Sequence, residues 1–110
     1  MIICDQKLPV IDFLNAQYIR PDDVEVIICE GHDCIKAPDG EGIGFGVLDA
    51  RARKIYIAGD LPEKEEDLPF TIAHEYRHFM QYCAGVAFDE QDADDFAAGV
   101  MERLKKEQKQ

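Results

Sequence analysis

Asp67 and Pro69 on one side and Gly85 on the other bracket a run in which Ile72, Tyr76, Phe79 and Cys83 recur at helical spacing. Aspartate can supply an N-cap oxygen, proline suits a first turn whose amides lack partners, and glycine accepts the left-handed conformation that closes a helix. The spacing predicts one helix over Leu68 to Ala84, about 25 Å long. Its apolar stripe has to be covered by the remainder of the chain. With 110 residues, 46% of them apolar, there is enough material for one core and not for two. A single domain over residues 1–110 is expected.

Leu8, Ile11, Phe13, Leu14 and Tyr18 recur at mostly helical spacing behind Pro9, which predicts a helix from Leu8 to about Tyr18, ended by Pro21. Val24, Val26, Ile27 and Ile28 form a β-rich run that stops at the turn residues Gly31 to Asp33. The loop KAPDGEGIG then breaks regular structure until a second strand with Phe45, Val47 and Leu48. After a turn at Arg51 to Arg53, Ile55 to Ala58 make a third strand, and the charged stretch EKEED bridges to the next element. A last helix is expected from near Asp89 through Leu104, with Ala93, Phe96, Ala97, Val100, Met101 and Leu104 as its buried stripe and fraying beyond.

The formal net charge of -11 argues against a nucleic-acid partner, because affinity for phosphates comes mainly from clustered Lys and Arg, and only the tail KKEQKQ is locally basic. The start MIICDQKLPV has no basic leader region, and no stretch reaches the roughly 18 uninterrupted apolar residues of a spanning helix. A cytoplasmic protein with no membrane partner is expected, and with it reduced thiols at Cys4, Cys29, Cys34 and Cys83. CEGHDC brings Cys29, His32 and Cys34 together, but its spacing is not that of a zinc knuckle and no second ligand pair follows. Gly31 there marks a turn.

Inside the central helix stands HEYRH. His74 and His78, four residues apart, lie one above the other on one face, so both imidazoles can reach a single ion at about 2.0 to 2.1 Å, and zinc fits best. Glu75 sits where its carboxylate can deprotonate a zinc-bound water whose pKa the metal lowers toward about 7. The competing reading is an ordinary amphipathic helix whose histidines face solvent or accept hydrogen bonds from the core.

A catalytic zinc needs a third protein ligand, and no histidine follows Gly85. A carboxylate has to serve, and Asp89, Glu90, Asp92, Asp94 and Asp95 compete. At 100° per residue, Glu90 lies roughly 55° from the centre of the last helix's apolar stripe, Asp92 about 105° away and Asp95 almost opposite. Glu90 is therefore expected to point inward as the third ligand, with Asp89 better used as N-cap. Asp94, one turn on, could accept the second N–H of a zinc-bound histidine and fix its tautomer.

With HEYRH and the downstream EQDADDFAAGVM in view, the chain resembles the ImmA/IrrE-like metallopeptidases of the broader gluzincin group, which pair HExxH with ExxA or ExxAD. The resemblance covers roughly Gly42 to Met101. It implies that His74, His78 and Glu90 hold Zn2+, that Glu75 is the general base, and that Asp94 is the acid behind the ligands. The implied fold is α+β and zincin-like: a small twisted three-stranded sheet backs the HExxH helix, between an N-terminal helix and a C-terminal helix bearing the glutamate. The strand Ile55 to Ala58 would border the cleft in which an extended peptide or protein substrate could pair as an added strand. One departure is that no Tyr or His follows Glu90 to stabilise an oxyanion, and Tyr56, Tyr76, Tyr82 or the zinc would have to take that role, although Tyr76 falls on the core stripe. The alternative is an inactive relative, a zinc-stabilised interaction domain, with any link to a regulatory or mobile-element system resting on family analogy.

Overall fold

The computed structural model describes residues 1–18, 20, 22–36 and 43–108. In chain order the elements are β1 (Ile2–Ile3), α1 (Pro9–Gln17), β2 (Val24–Cys29), β3 (Ile35–Lys36), β4 (Ile43–Gly44), β5 (Gly46–Asp49), β6 (Lys54–Ala58), α2 (Lys64–Ala84) and α3 (Glu90–Gln108). The described residues form an α+β fold of three helices and a small mixed sheet.

The β-branched run at Val24 becomes an inner strand. It pairs in parallel with β1 on one side and with β6 on the other, and β6 pairs antiparallel with β5, giving the order β1-β2-β6-β5. The sheet thus has four strands where three were expected. The added strand is two residues long, too short for periodicity to mark it, and tertiary bonds hold it: Asn15 Oδ1 accepts the Ile2 N–H at 2.7 Å while its Nδ2 donates to the Ile2 carbonyl at 3.1 Å. β3 and β4 form a separate antiparallel pair. They flank residues 37–42 of the KAPDGEGIG loop, which lie outside the described residues, as does Pro21. Phe45, expected to open a strand, occupies the bend before β5.

The strand Ile55 to Ala58 does not offer a free edge for a peptide. As part of β6 it is bonded to β2 along one side and to β5 along the other, so an added strand cannot pair with β6 itself. Among the described residues the outer edge on that side of the sheet belongs to β5.

Helix α1 spans the expected segment, closed by the Tyr18 N–H donating to the Leu14 carbonyl at 2.9 Å. Helix α2 begins one turn earlier than expected. Asp67 is not its cap; its Oδ2 reaches back to accept the Glu63 N–H at 3.0 Å. Glu65, Glu66 and Asp67 in the first turn complement the positive end of the helix dipole, so the charged bridge itself becomes helical and Pro69 falls inside the helix. At the other end Gly85 adopts φ 73°, and its N–H and that of Val86 cover the last carbonyls at 3.1 Å. Helix α3 is capped as expected by Asp89, whose Oδ1 accepts the Asp92 N–H at 3.0 Å. It continues past Leu104 to Gln108 rather than fraying, with Lys105 and Lys106 in the last turn against the negative end of the dipole.

Helix α2 lies between the sheet and α3. Its Ile72, Tyr76 and Phe79 are fully buried with Ile55 and Ile57 of β6, and Ala97, Val100 and Leu104 of α3 join the same core. Cys83, expected on that stripe, is exposed, because the last turn of α2 projects beyond its neighbours. Phe96 and Met101 are only half-buried. No helix among the described residues is long and apolar enough to cross a membrane.

Gly46 fixes how closely β5 approaches α2. A Cβ there would stand 2.8 Å from Ile57 Cδ1 and 2.8 Å from Thr71 Cγ2, one turn ahead of Glu75. Gly46→Ala is therefore expected to lower stability by about 1–3 kcal/mol, the usual scale of overpacking. Urea unfolding measures it, and an unchanged midpoint would mean that these two side chains move aside freely.

Candidate metal centre

The middle of α2 presents His74 and His78 one turn apart, and the first turn of α3 brings Glu90 over them. The two Nε2 atoms are 3.2 Å apart. Glu90 spans both, with Oε2 3.0 Å from His74 Nε2 and Oε1 3.0 Å from His78 Nε2. Ligand atoms around a tetrahedral ion at about 2.0–2.1 Å are separated by about 3.3 Å. The Nε2–Nε2 separation and each Nε2–carboxylate contact are of that size, the two carboxylate contacts running to different oxygens, and one donor atom from each residue lies within 4.8 Å of the others. Among the described residues these three form the one group of three or more His, Cys, Asp or Glu whose donor atoms lie that close. Cys29, His32 and Cys34 form no such group.

Glu90 does not point inward as the helical wheel suggested. Its side chain is 76% exposed, against 15% for His74 and 7% for His78. The apolar stripe of α3 begins at Ala93, so the first turn stands at the rim of the helix pair and Glu90 reaches the histidines from the solvent side.

The far nitrogen of each imidazole is also engaged. His74 Nδ1 lies 2.9 Å from Asp94 Oδ1, the place expected for Asp94. His78 Nδ1 lies 2.9 Å from Gln81 Oε1, a partner that the sequence did not suggest. The orientation of the Gln81 amide follows from its other bonds: Nε2 donates to the Asp89 carbonyl at 3.2 Å and to Asp92 Oδ2 at 2.8 Å, while Oε1 accepts the Asp89 N–H at 3.1 Å. Gln81 Oε1 can only accept, so His78 Nδ1 donates to it and, in the neutral ring, His78 Nε2 presents a lone pair toward His74 Nε2 and Glu90. With both Nε2 atoms unprotonated, these two rings and the Glu90 carboxylate offer electron pairs to one region; with either one protonated, that ring donates to Glu90 at 3.0 Å. A divalent cation satisfies the unprotonated set.

Arg77, the fourth residue of HEYRH, forms a two-pronged ion pair with Asp92, at 2.8 and 3.2 Å. Its guanidinium also lies 5.0 Å from the centre of the Phe96 ring. The Arg77 guanidinium, with the Gln81 amide, holds the Asp92 carboxyl below the usual carboxylate range. Asp92 lay off the stripe on the wheel because it serves this bond across to α2. Aromatic rings flank both histidines, Phe70 stacked 6.4 Å from His74 and Phe88 tilted 5.2 Å from His78.

Glu75 is 9% exposed. Burial pushes its carboxyl up, an effect strengthened by Glu90 and partly offset by His74 and His78. A carboxyl whose folded pKa is raised adds stability that is fully present below its unfolded pKa and lost as pH rises through the folded one. In metal-free protein, Glu75→Gln is accordingly expected to be more stable than the parent at pH 7, with a gap that closes below about pH 4. Urea titrations in chelator at the two pH values measure it; a gap that does not change with pH would refute the burial argument. Tyr76 is 1% exposed and packs in the core, Tyr56 is half-buried on β6, and Tyr82 is exposed in the last turn of α2.

A cavity of about 600 Å³ lined by Leu68, Met101 and Leu104 lies at the other end of the α2–α3 pair and contains none of the cluster residues. No family model, curated protein or solved structure matches the chain. The fold and the site together define an α+β domain with a His/His/Glu cluster held between two helices.

Proposed function

We propose that this protein is a minimal zinc metallopeptidase of zincin-like, gluzincin-type construction, in which His74, His78 and Glu90 hold Zn2+. The observation that carries the reading is the convergence of the two Nε2 atoms, 3.2 Å apart, with a Glu90 oxygen 3.0 Å from each, while His74 Nδ1 faces Asp94 and His78 Nδ1 faces Gln81. Bound zinc supplies a Lewis acid that polarises a carbonyl and acidifies water. Glu75, buried next to the first ligand, is placed to take a proton from the attacking water and pass it to the departing amine. Asp94 and Gln81 orient the two imidazoles. The substrate is an extended peptide, which finds its strand partner at β5, the edge packed on α2 through Gly46 and Thr71.

The first test is metal content: protein purified without a His-tag should carry one zinc per chain, and digestion of a peptide library should then show cleavage that a chelator abolishes. Asp94→Ala should weaken zinc binding about 10- to 100-fold in chelator competition, the scale found when a partner of a metal-bound histidine is removed. Equal affinity in that variant would remove Asp94 from the site.

A second reading has its own support. The cluster joins α2 to α3, and among the described residues of α3 no Tyr or His follows Glu90 to meet an oxyanion. In that reading the zinc staples the two helices of a non-catalytic interaction domain. Zinc binding with no cleavage of any library peptide would favour it.

A further inference from the structure

We propose that Gln81 is a positioning residue that couples occupation of the His74, His78 and Glu90 cluster to the docking of α3 on α2. The inference rests on the metal reading above and concerns what sets the ligand geometry.

Of the three donors only Glu90 comes from α3, so the cluster closes only when the start of that helix is held in register against α2. The connection between the helices packs little, Val86 being 56% and Phe88 57% exposed, and the apolar stripe of α3 meets the core only from Ala93 onward. Polar links hold the residues before it. Gln81, 6% exposed, uses its whole hydrogen-bonding capacity here. Its Oε1 accepts from His78 Nδ1 and from the Asp89 N–H, and the two hydrogens of its Nε2 go to the Asp89 carbonyl and Asp92 Oδ2. One carboxamide thus fixes the ring and tautomer of a ligand on α2 and the N-terminus of the helix that delivers Glu90. Asp89 in turn caps α3 through the Asp92 N–H, and Asp92 is gripped from α2 by Arg77. A shift of the α3 start that moves Glu90 off the histidines breaks the bonds to Asp89 and Asp92 that hold the Gln81 carboxamide against His78, and loss of those bonds releases the helix start.

Two substitutions separate the halves of this coupling. Gln81→Met has similar length and none of the four bonds. Gln81→Glu keeps an acceptor for His78 and the Asp89 N–H but turns its second oxygen toward the Asp89 carbonyl and the Asp92 carboxylate, so it opposes docking while still orienting the ring.

The experiment is zinc affinity by chelator competition on the full chain, below the melting temperature of every variant, with the visible spectrum of the cobalt-substituted protein as a reading of ligand geometry. Gln91→Met, which removes an exposed bond to Asp95 within α3, is the control. Gln81→Met is expected to bind zinc about 10- to 100-fold more weakly than the parent with an altered cobalt spectrum, while the control matches the parent. Gln81→Glu is expected to weaken zinc at least 5-fold, and it carries the test if Gln81→Met does not fold. A merely structural Gln81 would lower the metal-free melting temperature and leave affinity and spectrum unchanged; that result overturns the inference while the metal reading stands. A parent chain that takes up neither zinc nor cobalt overturns both.

Discussion

Glu75→Gln is expected to retain about one zinc per chain and to lose peptide hydrolysis by about 10²- to 10⁴-fold, the range for removing a positioned general base. The reason lies in what the substitution preserves. Glutamine has the shape of glutamate, so the buried position beside His74 stays filled and the ligand triangle of His74, His78 and Glu90 is untouched. What it lacks is the ability to accept a proton from water and deliver it to the leaving nitrogen. Zinc content by mass spectrometry and initial rates on a cleaved library peptide measure the two halves separately. A variant that holds zinc and cleaves at the parental rate would remove Glu75 from the mechanism, and loss of zinc in the variant would show that Glu75 acts on the metal site instead.

Removing the metal should have the largest effect on stability. A ligand at 1,000 times its dissociation constant stabilises the folded state by about 4 kcal/mol, which for a domain of this size moves the melting temperature by on the order of 15–20 °C. The effect should be large because the cluster links two helices: a cation would bridge the two imidazoles of α2 to Glu90, whose side chain is otherwise 76% exposed at the start of α3. His78→Ala should abolish the dependence of melting on zinc. It should also lower the metal-free stability, because His78 is 5% exposed and its loss leaves a gap and takes a donor from Gln81 Oε1. Melting curves of both chains, with zinc and with chelator, form the test. Coincident curves for a parent chain shown to carry zinc would contradict the staple.

The helical core of the site could be read without coordinates. His74 and His78 share a face because their spacing matches a helical turn, Gly85 marks the helix end because it accepts positive φ, and Asp89 caps α3 because a short side chain before a helix meets its free amides. That Glu90 and Asp94 come to lie beside the histidines was legible as well, once a carboxylate was sought on the helix that follows. The direction of Glu90 was not, since a wheel describes the average face of a helix and says nothing about where its first turn overhangs a neighbour. The early start of α2 was masked by the usual reading of a charged run as a linker, and β1 by its two-residue length.

The chain's own periodicity thus determined which residues form helices and which pair of histidines faces one point, because those properties depend on bonds between residues three to five apart. Tertiary structure decided the rest. The pairing of β1 with β2, the enclosure of β6 between two partners, and the clamp that Gln81 closes on His78, Asp89 and Asp92 all require segments to meet across the fold. Gln81 looks like an ordinary polar residue on a helix until α3 docks beside it, when it is buried and its carboxamide makes four hydrogen bonds to His78, Asp89 and Asp92.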